Sequence, residues 1–181
     1  DDDFRSWLVG VGRVRIYDWK GSSWVQRGTD IIGEQKEEQS GTFISLSADG
    51  NIIAIGAPNN SQIEPTDDLY NLGQVRVYAW NGSTWEQRGK GINGFWEFAD
   101  FGTKAILSAD GNVLAIEGIV NPDGYGNGHT AIYAWDGTTW EQRGEVLMDT
   151  GAEHQSISLS ADGNVLATRV PYPKQEEYLA N

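Results

Sequence analysis

The side chains able to do chemistry in this sequence divide into those that recur in register and those that occur once. Six of the eight tryptophans recur as pairs: Trp19 with Trp24, Trp80 with Trp85 and Trp135 with Trp140. Paired indoles can stack on a sugar ring, and repetition would make such binding multivalent. A cross-strand aromatic pair also stabilises a hairpin by about 0.2–1 kcal/mol with no ligand at all. The pairs Gln26-Arg27, Gln87-Arg88 and Gln142-Arg143 carry the donors to hold a carboxylate, or to tether a strand edge or a loop. Asp49, Asp110 and Asp162 recur inside Ser-Ala-Asp-Gly-Asn, one carboxylate per turn. Calcium takes roughly six to eight oxygens, several of them usually carboxylates, so these turns predict no metal site.

The acids and bases that occur once offer less. His129 and His154 stand at non-equivalent places and read as surface or hydrogen-bonded side chains. Glu37-Glu38 and Asp67-Asp68 have the groups of a glycosidase acid and base. Neighbouring acids in a loop are ordinarily solvated, however, and the glutamate-rich run 34–39 reads as such a loop. The run Asn121-Pro122-Asp123-Gly124-Tyr125-Gly126-Asn127 places oxygens at alternating positions, though its glycines point to turn chemistry. The sequence contains no Gly-x-Ser-x-Gly elbow, His-Glu-x-x-His helix or phosphate loop. These residues predict a non-enzymatic protein with no cofactor.

Composition narrows the partners. Thirteen lysines and arginines face 26 aspartates and glutamates, a net charge of −13, which repels nucleic acid and anionic lipid. With no cysteine there is neither a disulfide framework nor a thiolate site. No apolar run reaches the roughly 18 residues of a membrane span. The opening Asp1-Asp2-Asp3-Phe4 is neither a methionine start nor a signal peptide, and reads as a processed product or an excerpt of a longer chain.

Two alternating units must position whatever acts. The first, termed B here, is a β-hairpin at 13–28, 74–89 and 129–144. Its second copy reads Gln-Val-Arg-Val-Tyr-Ala-Trp-Asn-Gly-Ser-Thr-Trp-Glu-Gln-Arg-Gly. Asn81-Gly82 and Asp136-Gly137 are strong hairpin turns. The alternation of Val14, Ile16 and Asp18 against Arg15, Tyr17 and Trp19 puts large groups on both faces, so both sides of the sheet should be covered. The second unit, A, is a hairpin at 43–57, 103–117 and 155–168 around Ser-Ala-Asp-Gly-Asn. Its small residues, such as Ser45, Ala54 and Gly56, suit crowded inner strands. Tyr17, Tyr78 and Tyr133 are 61 and 55 residues apart, the spacing of a repeated supersecondary unit.

Four strands per such period describe the blade of a β-propeller. Phe43-Ile44-Ser45-Leu46-Ser47-Ala48-Asp49-Gly50-Asn51, leading into Ala54-Ile55-Gly56-Ala57-Pro58, resembles the FG-GAP repeat of integrin-α-like propellers. It is most similar to microbial and algal repeats in which the SLSADGN…AIGAP run is followed by VRVYxWxGSxW. Phe101-Gly102 supplies an intact FG, Gly56-Ala57-Pro58 the intact GAP, and the resemblance runs from about Gly12 to Val170. It implies an interaction module, extracellular or at a cell surface. The family's calcium loop, Asp-x-Asp-x-Asp-Gly-x-x-Asp, has no counterpart at Asp49, Asp110 or Asp162.

The order B, A, B, A, B, A gives an all-β protein of two whole blades and two half blades, about three equivalents over residues 1–181. A propeller usually has about four to eight blades. A second copy could therefore supply three more blades, or the chain could belong to a longer propeller. A threefold β-trefoil or β-prism is the alternative. Segments that break the repeat are the better binding candidates: Tyr70 in 59–72, Phe95 and Trp96 in 93–101, and Tyr125 in 119–128. The expected partner is another protein or a second copy held through loops and unpaired blade edges. A glycan stacked on tryptophans or loop aromatics is the alternative.

Overall fold

The structure, a computed structural model, describes residues 10–61, 72–95, 100–120, 127–149 and 156–169. Its elements run β1 (Arg13–Val14), β2 (Tyr17–Trp19), β3 (Trp24–Gln26), β4 (Ile31–Ile32), β5 (Phe43–Leu46), β6 (Ile52–Ala57), β7 (Gln74–Trp80) and β8 (Trp85–Gln87). They continue with β9 (Ile92–Asn93), β10 (Lys104–Leu107), β11 (Val113–Val120), β12 (Asn127–Trp135), β13 (Trp140–Gln142), β14 (Leu147–Asp149), β15 (Ile157–Leu159) and β16 (Leu166–Thr168). The described residues are all-β, without a helix, and no helix is long and apolar enough to cross a membrane.

Pairing follows the repeat. One sheet is ordered β5-β6-β7-β8 with β9 beside β7, the other β10-β11-β12-β13 with β14 beside β12, and all their pairs are antiparallel. Each sheet joins an A hairpin to the B hairpin that follows it, as in a four-stranded blade. The fourth strand comes in two pieces. In the first sheet β8 pairs Trp85 with Trp80, and β9 then pairs Ile92 with Val75 on the same strand. The break falls at Gly89, whose φ of +80° takes the chain out of the extended region.

The end units are single hairpins. The first B unit forms the two-stranded sheets β1-β4 and β2-β3, and the last A unit forms β15-β16. They share no sheet, so the described residues form open blades rather than a threefold closed body. Stacking runs one way: the amide of Ala48 donates to the carbonyl of Ala109 at 2.8 Å, and that of Ala109 to Ala161 at 2.8 Å.

The core lies along the A hairpins and the middle B strands. Ala54, Val75, Val77, Phe101, Leu107, Leu114, Ile116 and Ala131 form one cluster, and Val14, Ile16, Ile31, Ile53 and Ile55 a second. Phe101 is fully buried, as a core role requires. Gly56 shows why small residues stand here, because a Cβ on it would lie 2.1 Å from the carbonyl oxygen of Gly102. Two-sided burial holds for the second B unit, where Gln74 to Val77 are all buried. In the first, Arg15, Tyr17 and Trp19 remain exposed.

Two expectations need correction. The run 34–39 is not uniformly solvated: Glu38 is completely buried. Its carboxylate accepts from the Glu34 amide at 2.8 Å and the Asn60 side chain at 2.8 Å, and it pairs with the Arg76 guanidinium. Arg76 Nε donates in turn to Gln74 Oε1 at 2.5 Å. An ion pair taken out of water needs such a shell of partners. Of the two roles expected of His129, surface or hydrogen-bonded, burial removes the first: the ring is fully buried and lies flat against Phe101, with ring centroids 5.7 Å apart and 8° between planes.

Candidate interaction edges

The side chains that recur in every unit build the joints between units. Arg27 donates to the carbonyl of Gly50 at 2.8 Å and to Asn51 Oδ1 at 3.1 Å. Arg88 does the same to Gly111 and Asn112 at 2.7 and 2.6 Å, and Arg143 to Gly163 and Asn164 at 3.2 and 2.9 Å. Each arginine thus clamps the Asp-Gly turn of the next A hairpin. The glutamine beside it caps the chain reversal: Gln26, Gln87 and Gln142 donate to the carbonyls of Gly28, Gly89 and Gly144. The Gln-Arg pairs are tethers.

The turns they hold are closed by aspartate. Asp49 accepts from Ser47 Oγ at 2.6 Å and from the Asn51 amide at 3.0 Å and side chain at 2.9 Å, and Asp110 and Asp162 repeat this pattern. Hydrogen bonds to the charged form favour it. The serine and asparagine donors accordingly hold the carboxyls of Asp49 and Asp110 below the usual range and bring Asp162 down to about 2. Both oxygens of each aspartate are committed to the turn. Among the described residues no group of three or more acids and histidines converges as metal ligands would.

The tryptophan pairs form the second joint. Their rings sit 5.4, 5.4 and 5.5 Å apart at tilts of 58°, 53° and 54°. Trp85 Nε1 donates to the Arg27 carbonyl and Trp140 Nε1 to the Arg88 carbonyl, both at 3.0 Å. A Cβ on Gly28 would lie 2.7 Å from Trp80, and one on Gly89 would lie 2.9 Å from Trp135. The second and third pairs therefore seat on the arginine-glycine corner of the preceding unit. Arg88 also lies 4.6 Å from the centre of the Trp135 ring, a cation–π contact.

At the ends these joints are half made. Trp19 and Trp24 are 55% and 66% exposed, and Gly144, the corner equivalent to Gly28 and Gly89, meets nothing within 4 Å. The A hairpins show the same asymmetry. Gly111 packs on Ile52 and Gly163 on Val113, whereas the equivalent Val165 is 66% exposed and Gly50 meets only the Arg27 side chain, at 3.9 Å. Between β2 and β5 lies a cleft of about 460 Å³ lined by Ile16, Tyr17, Trp24, Ile44, Leu46 and Ile53. A second, of about 210 Å³, lies at the far end between Ile132, Arg143, Leu147, Leu159 and Leu166.

Of the loop residues singled out by sequence, Phe95 is described. It is half-exposed and sets its edge on Phe101, with centroids 6.0 Å apart at 67°. Tyr70, Trp96 and Tyr125 lie outside the described residues, as do His154 and Asp67-Asp68. Of the exposed end residues, Trp19 and Trp24 stand out in the sequence only as members of the repeated indole pairs, and Val165 does not stand out. They are identical in type to, or interchangeable with, equivalents that are partly or fully buried, and only position in the stack separates them.

No family model and no curated protein matches the chain. Among solved structures, it is similar to a candidate 6-phosphogluconolactonase from Bacteroides uniformis, at 12% identity over 90% of this chain and 76% of the other, with a TM-score of 0.25.

Proposed function

We propose that the chain is a non-enzymatic interaction module that binds a protein partner, or another copy of itself, through its open blade edges. The observation that carries this reading is the repeated joint. It is completed twice inside the molecule and left half made at both ends, with complementary halves exposed. An edge strand with unpaired backbone groups is a template for another strand. Strand addition of this kind draws affinity from main-chain hydrogen bonds and specificity from pockets for alternate side chains. The cleft between β2 and β5 supplies such pockets.

A free A hairpin tests this reading. A peptide of residues 155–170 added to the chain should bind and protect the amides of 13–19 from exchange, and a sequence-scrambled peptide should not. Failure to bind at millimolar peptide contradicts edge binding.

The exposed Trp19–Trp24 pair supports a second reading, a lectin in which these indoles stack on a sugar ring. Quenching of tryptophan fluorescence by a glycan, abolished in Trp24→Ala, is the expected sign. A glycan array that is blank at millimolar ligand removes it.

A further inference from the structure

Between the two five-stranded sheets the repeat changes its side chains, and a further cleft lies there. It measures about 290 Å³. Lys90 and Ile92 line it from the corner of the first sheet, and Tyr133, Thr139 and Trp140 line it from the second. Ligand clefts run from about 300 to 1,000 Å³, so this volume suits one small ring.

Its chemistry departs from the equivalent place one unit earlier, where Thr29, Asp30, Tyr78, Thr84 and Trp85 stand. There Asp30 accepts from Arg15 at 3.0 Å and from Gln26 at 2.8 Å, and Arg76 acts on the Tyr78 hydroxyl. In the later copy Lys90 replaces Thr29, Gly91 replaces Asp30, and Ala131 replaces Arg76. The carboxylate and the guanidinium are both gone, and an ammonium group is gained.

Two polar groups are left without partners by these changes. Tyr133 is 6% exposed, and among the described residues its hydroxyl makes no hydrogen bond. Burial alone pushes its pKa up to about 12. A buried tyrosine hydroxyl usually has a partner, and leaving one unmade is costly, so a phenol held bare beside a cleft is prepared for a ligand. Lys90 is exposed and makes no ion pair with a described residue, in a chain where acids outnumber bases 26 to 13. Thr139 already donates its proton to Glu141 at 2.7 Å, which leaves its oxygen as an acceptor. Trp140 is half-buried, and its Nε1 bond to the Arg88 carbonyl at 3.0 Å holds the indole as a fixed wall.

We infer that this cleft binds a uronic acid, a pyranose ring that carries a carboxylate. The indole of Trp140 takes the C–H face of the ring. Tyr133 donates to a ring hydroxyl, Thr139 accepts from another, and Lys90 pairs with the carboxylate. A flat apolar ligand would leave Tyr133 and Thr139 unserved, and a bare anion would leave the indole unused. The net charge of −13 does not forbid an acidic sugar, because charges beyond about 8 Å are screened at physiological salt and Lys90 sets the local sign. Glu141 and Asp136, at 2.7 and 3.4 Å from the Thr139 hydroxyl, repel the carboxylate from that wall and turn it toward Lys90. The site is separate from the blade edges and from the Trp19–Trp24 pair, so it stands or falls without either.

Glucuronate and glucose share one ring and differ in the carboxylate, so the test compares them. In titration calorimetry on the whole chain, sodium glucuronate should bind about tenfold more tightly than glucose. Lys90→Gln should make the two equal, and Tyr133→Phe should weaken both about threefold or more. Neither substitution should lower the midpoint of thermal unfolding, whereas a purely structural role for the Tyr133 hydroxyl would lower it. Tyr78→Phe and Trp24→Ala should leave binding as it is. Equal affinity of the unsubstituted chain for the two sugars overturns the inference, as does binding of neither at millimolar concentration. Binding that survives both Lys90→Gln and Tyr133→Phe overturns it as well, and if Trp24→Ala then removes that binding the sugar belongs to the exposed indole pair.

Discussion

The indole nitrogen of Trp85 donates to the backbone carbonyl of Arg27 at 3.0 Å, across 58 positions of sequence. The same bond joins Trp140 to Arg88. It fixes each unit's outer hairpin to the corner of the unit before it, so the tryptophan serves register as well as burial. Trp85→Phe keeps an aromatic ring and removes the donor. It should cost about 0.5–1.5 kcal/mol in urea unfolding, whereas Trp24→Phe in the dilute single chain should cost close to nothing.

Gly89 and Gly144 provide a matched pair. Both have positive φ, +80° and +82°, so alanine at either carries the left-handed penalty of about 1–2 kcal/mol. At Gly89 the added Cβ also meets Trp135 at 2.9 Å, while at Gly144 it meets open space. Gly89→Ala should therefore destabilise the isolated chain more than Gly144→Ala in thermal unfolding. At concentrations where copies associate, Gly144→Ala should weaken association.

These joints explain what the sequence made legible. Asn81-Gly82 and Asp49-Gly50 are local turn signals, and a hairpin follows from a few adjacent residues, so the six hairpins and their blade order could be read directly. Exposure could not. Trp24 and Trp85 sit in nearly the same motif, and one is open while the other is covered because only Trp85 has a preceding corner to seat on. Glu38 was opaque for a different reason: its partner Arg76 lies 38 positions away and its environment is not repeated in the other units. His129 occupies the position of Gln74 in the repeat, and its burial against Phe101 depends on a contact across 28 residues of chain that no local pattern encodes.

The buried ion pair predicts a large penalty when broken from one side. Glu38→Ala leaves the guanidinium of Arg76, itself 2% exposed, without its buried carboxylate and with only the exposed Glu34 at 3.8 Å. The expected loss is about 3–5 kcal/mol in denaturant unfolding. Glu38→Leu combined with Arg76→Leu should recover much of it. If the single and double variants are equally damaged, the pairing is not what the site contributes.

Acid sensitivity should show two stages. Burial lowers the His129 pKa from 6.5 to about 4. Between those values the unfolded chain binds more protons than the folded one, so stability is full above about pH 6.5 and falls by about 3 kcal/mol as the pH drops through 4. Asp136 and Asp162, held at about 2 by their turn hydrogen bonds, add a second loss as the pH falls from 3.8 through 2. His129→Gln, the residue of the equivalent position, should flatten the first stage in pH-dependent unfolding and leave the second. An unchanged slope between pH 6.5 and 4 contradicts the assignment.

The most direct measurement of the central claim, that the open edges are the binding surface, is amide hydrogen exchange across a concentration series. Residues 13–19 and 165–168 should become protected together as concentration rises, or the former alone when the 155–170 hairpin peptide is added, while the β6–β7 and β11–β12 pairs stay protected throughout. Exchange at both edges that is indifferent to concentration and to the peptide would contradict the account.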